Sequence, residues 1–436
     1  MRSYGPATVF HLEMSTHRLT SVLAIAGLAA LAPPPAAAQA RSARSAESAL
    51  EGKLAAAMRP AGPSSGAYVV NLETGRAVFR WRHTQPRILA SNTKLFTTSA
   101  ALARFGSAAR LTTEVRGDGD LEADGTYRGN LYIVGGGDPT FGSRRFGQRA
   151  YRGGAAVEDL AAKLGEAGIE RVTGRVLGDE SRFDLLRGGP DSGFRTSIYV
   201  GPLSALSYNR GLATEGGRGF QSSPAAFAAA RLDSALQQRR IAVRGNPRAG
   251  RVRAAAQTLA VVSSPPMARL AALTNKPSDN FFAEMLLKGL AMQAAGRGTT
   301  AGGARVAARF AARLGGGARL VDGSGLARGN RASPYRLAKL LIALRRREGE
   351  FPAFFRSLSI AGRDGTLRPR MRGGPAHGRC RGKTGTIAGV SAVSGYCSAR
   401  SGQAYVFSIL MNGVDPFGAR RLQDRMLHAI ADVSGG

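Results

Sequence analysis

The chain has 436 residues, 43% of them apolar, and a formal charge of +32 carried mostly by arginine. That length suits one large or two to three ordinary domains with real cores. Beyond the N-terminus no apolar run is long enough for a membrane-spanning helix, which excludes an internal span of that kind.

Residues 1–40 read as a targeting segment. His17 and Arg18 precede the apolar run Leu19 to Leu31, three prolines follow, and Ala38-Gln39-Ala40 fits an A-x-A cleavage site. Met14 stands where such a peptide normally begins, so residues 1–13 read as an upstream mis-start. The expected mature protein begins near Arg41 and is exported to the periplasm.

Residues 43–60 form an amphipathic helix ended by Pro60. Tyr68–Leu72 and Arg76–Trp81 alternate like strands around the turn at Glu73–Gly75. A helix carrying Ser91 and Lys94 follows. From about residue 107 short strands at 111–116, 127–134 and 172–177 alternate with Gly/Asp turns, broken by a helix over 155–167 with Gly168 placed to end it. A further helix covers 224–238. From about 260 the texture becomes helical again, at 279–295, 301–314 and 334–347. Three strands, 379–386, 391–398 and 403–411, and a last helix over 417–433 close the chain.

The pattern predicts an α/β (α+β) domain built from both chain ends, residues 41–106 and 258–436, with residues 107–257 as an inserted strand-rich domain. Cys380 and Cys397 flank the expected hairpin. A turn near 388–389 would place them opposite each other, so an exported chain leaves two readings, a disulfide or two buried thiols.

Three short motifs carry chemistry. Ser91-Asn92-Thr93-Lys94 places a serine and a lysine one helical turn apart. A buried lysine loses basicity, and a neutral amine can take the serine proton. Ser278-Asp279-Asn280 opens a helix, and Lys383-Thr384-Gly385-Thr386 lies on a late strand. S-x-x-K, S-D-N and K-T-G in this order are the set found in class A β-lactamases and penicillin-binding proteins.

Ser91 is the expected nucleophile and Lys94 its base. Ser278 is expected to relay the proton to the leaving amine, and Asn280 to hold Lys94 and the substrate amide. Lys383 supplies positive charge near the relay. Thr384 and Thr386 suit a substrate carboxylate, and Gly385 lets substrate lie against the strand. The N–H groups of Ser91 and Thr386 are the expected oxyanion hole. Ser207-Tyr208-Asn209 competes as a second S-x-N, but it sits in loop-like sequence, whereas Ser278 enters an amphipathic helix.

With these motifs the chain resembles the low-molecular-mass penicillin-binding proteins that act as D-alanyl-D-alanine carboxypeptidases and endopeptidases and carry inserted domains. The resemblance extends over most of residues 48–432. It includes Gly136–Phe141, Gly178–Phe183, Ser264-Pro-Pro, Val321–Leu326 and Ala361–Leu367. It implies a penicillin-binding, β-lactamase-like transpeptidase fold whose antiparallel sheet is flanked by helices.

It also implies trimming of peptidoglycan stem peptides through an acyl-enzyme on Ser91, with no cofactor and no metal, and covalent inhibition by β-lactams. The family's inserted module helps recognise the diamino acid of the stem peptide. Asp179 is the candidate for its amine, against the plain reading of a turn aspartate capping a strand end. Two departures stand out: the insertion is short for the family, and the usual Ser-Arg-x-Asn is Ala327-Arg328-Gly329-Asn330.

Two other readings compete. A β-lactamase of class A needs a glutamate-activated water, and no glutamate with an obvious loop setting lies in the α/β portions between Ser91 and Ser278. A non-catalytic cationic protein holding anionic envelope surfaces would explain the charge, though scattered arginines also follow from genomic composition bias. Export argues against nucleic acid as the partner.

Overall fold

The computed structural model describes residues 36–434, so the targeting segment expected over 1–40 lies almost wholly outside the described residues. The catalytic half is built on a six-stranded sheet. Its order is Ser359–Ile360, Cys380–Ile387, Val390–Ser398, Ala404–Asn412, Gly66–Asn71, Ala77–Trp81, and every pairing is antiparallel. First and last segments of the chain therefore meet in one sheet, since Gly66–Asn71 pairs with Ala404–Asn412.

Both faces of the sheet are covered. Along Ala404–Asn412, Tyr405, Phe407, Ile409 and Met411 face the terminal helices Ala36–Met58 and Pro416–Ala431. Val406 and Leu410 face the opposite layer, the helices Thr93–Phe105, Met267–Asn275, Asn280–Ala295, Thr300–Arg313, Pro334–Arg345 and Phe351–Ser357. The strand is apolar on both faces because each face has its own helical cover.

The insertion holds a second, seven-stranded sheet. Its centre is Arg171–Asp179, which pairs in parallel with Thr126–Arg128, Leu131–Gly135 and Ala242–Ala249. Two helices, Val157–Glu166 and Pro224–Gln238, bury Leu160, Leu164, Leu232 and Leu236 against it. The run 127–134, expected as one strand, is split at Gly129-Asn130. There the Asn130 N–H and side-chain amide both donate to the Asp118 carboxylate, which turns the chain out of the ladder.

The boundary expected at residue 257 falls one strand early. Gln257–Ser263 pairs with Thr112–Gly117 and completes this second sheet, so the insertion returns to the catalytic half after Ser263. Entry and exit lie side by side: Ser264 N–H donates to Leu111 O, and Leu111 N–H to Ser264 Oγ. Phe146, Tyr151, Phe183, Val200 and Leu203 of the insertion join the core of the catalytic helical layer. The short helices at Arg144–Tyr151, Met267–Asn275 and Phe351–Ser357 were not expected from the sequence pattern.

Candidate active site

The nucleophile sits at a tight turn. Ala90–Asn92 is a single 3-10 turn that runs straight into the helix Thr93–Phe105. Ala90 just before Ser91 has φ +44°, a conformation that non-glycine residues rarely adopt. Neighbours hold it there. Gly325 approaches so closely that a Cβ would stand 1.9 Å from Ala90 O. Asn92 Nδ2 donates to Lys383 O at 3.0 Å, tying the turn to the strand that carries the third motif.

Lys94 is fully buried, and its Nζ has three neighbours: Ser91 Oγ at 2.9 Å, Asn280 Oδ1 at 2.7 Å and Ser324 O at 2.7 Å. Two of them are carbonyl oxygens that can only accept. A neutral amine has two N–H donors and one lone pair. The donors match Asn280 and Ser324, which leaves the lone pair for the one partner that owns a proton, Ser91. Burial brings the Lys94 amine down to about 8, against the pull of Asp322, Glu284 and Asp279. About a tenth of it is then neutral at pH 7.

The second and third motifs arrive from other elements. Asp279 caps the helix Asn280–Ala295, accepting from Phe282 N–H, which fixes where Asn280 starts. Ser278 is held in the left-handed region, φ +63°. Lys383 Nζ donates to Ser278 Oγ and to Thr384 O, both at 2.8 Å. Burial and the nearby Lys94 push the Lys383 amine well below its ordinary value.

Ser207 is not part of this cluster. Its Oγ bonds to Pro202 O, and its neighbour Asn209 accepts from Ser143 N–H. Arg210, next in sequence, instead grips the Asp279 carboxylate with both terminal nitrogens.

The strand Cys380–Ile387 leaves one edge open. Cys380 stands opposite Cys397 with Cα atoms 4.0 Å apart and a disulfide between them, which decides between the two cysteine readings. So close a spacing marks a pair without ladder hydrogen bonds. Every second residue from there, Thr384 and Thr386 included, turns its N–H and C=O outward. On that side Ser359–Ile360 covers only Arg381 and Gly382.

Gly385 is where the strand crosses the nucleophile turn. A Cβ there would lie 2.9 Å from Ser91 N and 2.9 Å from Leu89 O. Thr386 is exposed at the strand's outer end, while the Thr384 hydroxyl donates to Thr366 Oγ1 at 2.7 Å.

A hydroxyl next to a desolvated amine, a second serine on a second lysine, and an open strand edge beside both can acylate and deacylate a serine. The family comparison agrees. The model of the D-Ala-D-Ala carboxypeptidase 3 (S13) family matches residues 49–215 and 219–433. The chain belongs to this family. It is a serine-type D-alanyl-D-alanine carboxypeptidase.

Among relatives of this S13 peptidase, the carboxypeptidase DacB of Mycolicibacterium smegmatis is 30% identical, with 94% of each chain covered. The D-alanyl-D-alanine carboxypeptidase of an Actinomadura species is 28% identical over 86% of this chain and 82% of its own. Among solved structures, penicillin binding protein 4 from Haemophilus influenzae shares the fold at TM-score 0.71 and 19% identity. The match covers 86% of this chain and 97% of that one. The same Haemophilus protein complexed with a β-lactam matches at TM-score 0.68.

One expected site residue of this S13 peptidase is placed elsewhere. Asp179 is buried at the end of the strand Arg171–Asp179, and its two carboxylate oxygens accept from Ser181 N–H and Val252 N–H, each at 2.7 Å. Both oxygens are occupied and no face is offered to a ligand, so Asp179 joins two loops rather than binding a substrate amine.

Other residues matter that the motifs did not reveal. Glu284, one turn after Asn280, is fully buried. Its Oε1 accepts from Gly323 N–H and Ser324 N–H, and so fixes the carbonyl that Lys94 donates to. Its Oε2 has no partner, and burial together with Asp322 raises the acid to about 7. Asp322 receives Gly325 N–H, Ala327 N–H and Asn330 Nδ2, which shapes the loop that presses on Ala90. Glu284 stands four residues after Asn280 on the same helix face, a spacing that could have marked it.

Proposed function

We propose that this peptidase removes the terminal D-alanine of peptidoglycan stem peptides through an acyl-enzyme on Ser91, and that penicillins acylate the same serine. The observation that carries this reading is the partner set of Lys94 Nζ, two oxygens that only accept and one hydroxyl that can donate.

Ser91 Oγ attacks the carbonyl carbon of the penultimate D-alanine as its proton passes to Lys94 Nζ. The developing oxyanion meets the N–H groups of Ser91 and Thr386, a stabilisation worth about 3 kcal/mol per donor. The C–N bond then breaks. The leaving nitrogen takes a proton from Ser278 Oγ, which Lys383 Nζ holds, and the proton that Lys94 gained passes to Ser278, so that Ser278 is a hydroxyl and Lys94 a neutral amine again before deacylation. Water attacks the ester carbon, Lys94 receives its proton, and Ser91 leaves as the hydroxyl. Asn280 keeps Lys94 in place throughout, and its Nδ2 is the donor for the substrate amide carbonyl.

Substrate backbone pairs with the outward groups of Thr384 and Thr386, as an added strand. Cross-linked stem peptides present the same D-alanyl amide and form a second substrate, because this edge is open where the leaving group lies. The protein acts outside the cytoplasm, where its substrate is. The apolar run Leu19 to Leu31, the A-x-A signal and the Cys380–Cys397 disulfide support that location. Its positive charge draws it to anionic envelope surfaces.

The test is mass spectrometry of purified muropeptides incubated with the enzyme. Loss of one alanine from pentapeptides, together with fluorescent-penicillin labelling that Ser91→Ala abolishes, is the expected result. Intact pentapeptides and an unlabelled wild type would refute the reading.

A further inference from the structure

A carboxylate ligand on the open edge needs a cation, and neither lysine of the motifs is free to serve. Lys94 Nζ is surrounded by Ser91, Asn280 and Ser324. Lys383 is fully buried, with Nζ on Ser278 and Thr384 O. The outermost hydroxyl of the strand, on Thr386, has a different neighbour. Arg420, from the first turns of the C-terminal helix Pro416–Ala431, donates from a terminal nitrogen to Thr386 Oγ1 at 3.2 Å.

Arg420 is held in that position. Thr386, Ser391 and Met411 lie in register at one end of the sheet, and the C-terminal helix starts beside that end. Gln423, one turn after Arg420, donates to Ser391 Oγ at 3.0 Å. Arg370 reaches Arg420 O, Gln423 Oε1 and the Asp424 carboxylate, which fixes the backbone of the same turn. The Arg420 guanidinium rests 4.9 Å from the centre of the Phe417 ring. Among the described residues no carboxylate lies within ion-pair distance of it.

We infer that Arg420, a residue outside the three motifs, is the cationic half of the carboxylate subsite and sets how strongly the peptidase discriminates for a charged carboxylate. This rests on the peptidase reading of the site above. By donating into Thr386 Oγ1, Arg420 takes one of that oxygen's two lone pairs and leaves the hydroxyl proton free to turn toward the cleft. The incoming carboxylate then receives one O–H from Thr386 and N–H donors from Arg420, a planar fork suited to it. Thr384 contributes less, because its hydroxyl is already bonded to Thr366. Arg420 comes from neither the insertion nor any of the three motifs. It is a specificity residue that reaches the site through the C-terminal helix.

The experiment compares acylation of the full-length enzyme by benzylpenicillin and by its methyl ester, which differ only in whether the carboxylate is charged. The ratio of the two rates within one variant cancels any loss of folded protein. In the wild type the free acid should react faster. Arg420→Ala should lower the free-acid rate by about ten- to a hundredfold and leave the ester rate unchanged, the range for a lost charge-assisted hydrogen bond.

Arg420→Lys should recover part of the ratio, since it keeps charge without the fork. The same pattern is expected in kcat/KM for a D-Ala-D-Ala peptide against its C-terminal amide. An unchanged ratio in Arg420→Ala, or an equal loss for acid and ester, overturns the assignment while Ser91 labelling leaves the peptidase reading standing. Absence of Ser91 labelling in the wild type by either compound would instead overturn the peptidase reading.

Discussion

Gly385→Ala tests the contact on which the whole site converges. The added methyl would stand 2.9 Å from Ser91 N, 2.9 Å from Leu89 O and 3.1 Å from Ala90 Cβ. None of these is the end of a flexible side chain, so no rotamer change relieves the contact. Restoring an ordinary separation of 3.4 Å requires the strand and the nucleophile turn to part by about 0.5 Å, and overpacking of this kind costs about 1–3 kcal/mol.

That displacement separates the N–H of Ser91 from the N–H of Thr386, one on each side of the gap. Losing one oxyanion donor costs about 10²- to 10³-fold, and a misplacement of about 1 Å costs on the order of 10²-fold. Acylation by a fluorescent penicillin should therefore slow by about 10²-fold, with a melting temperature lowered by only a few degrees. Rapid-mixing kinetics on the purified variant reads the first and calorimetry the second. Acylation at the wild-type rate would show that the strand does not have to touch the nucleophile turn, and the proposed oxyanion hole would fail with it.

Lys94→Ala should abolish acylation, since among the described residues no other base contacts Ser91 Oγ; normal labelling of that variant would remove lysine from the mechanism. Because the base must be neutral, the acylation rate should rise with pH through a midpoint at about 8, the value to which burial brings Lys94. Glu284→Gln removes a negative charge that favours protonated Lys94, so that midpoint should move to lower pH. An unchanged or higher midpoint would exclude Glu284 from the field around the amine. Asp179→Ala takes the acceptor from two part-buried N–H groups, those of Ser181 and Val252, and should cost about 1–2 kcal/mol of stability, acting alike on peptides with and without a free side-chain amine. A selective effect on amine-bearing peptides would restore Asp179 to the substrate site. Reducing the Cys380–Cys397 disulfide should destabilise by about 3 kcal/mol, on loop-closure grounds for a separation of 17 residues, read as a lower melting temperature in thiol.

The motif residues were legible because their chemistry restricts residue type as well as spacing. Ser91 and Lys94 need one helical turn between them, and Ser278 and Lys383 need only to reach the same hollow. That Cys380 and Cys397 stand opposite each other was legible from arithmetic on a hairpin, whose turn is at Ala388-Gly389, with Gly389 at φ +70°; that they are bonded was left open by the sequence.

Of the two readings of Asp179, the turn aspartate at a strand end is the one the structure bears out, and the amine-binding reading fails for a physical reason. Gly178-Asp179-Glu180-Ser181 has turn composition, but parallel neighbours on both sides of Arg171–Asp179 bury its last residues. Arg420 could not be read at all. It is one arginine among many, and its place beside Thr386 depends on where the C-terminal helix lands. The same holds for Asp322, whose value lies in three donors brought to it by a folded loop.

The stub Ser359–Ile360 is only two residues long, and the enzyme depends on that brevity. A stub longer by two or three residues would add ladder bonds and make a stiffer, more stable sheet. It would also lie where an incoming peptide must pair and would leave Ser91 chemically competent but unreachable. Stability alone would favour closing this groove; the two-residue stub leaves the framework unfinished at the place where the proposed substrate strand would complete it.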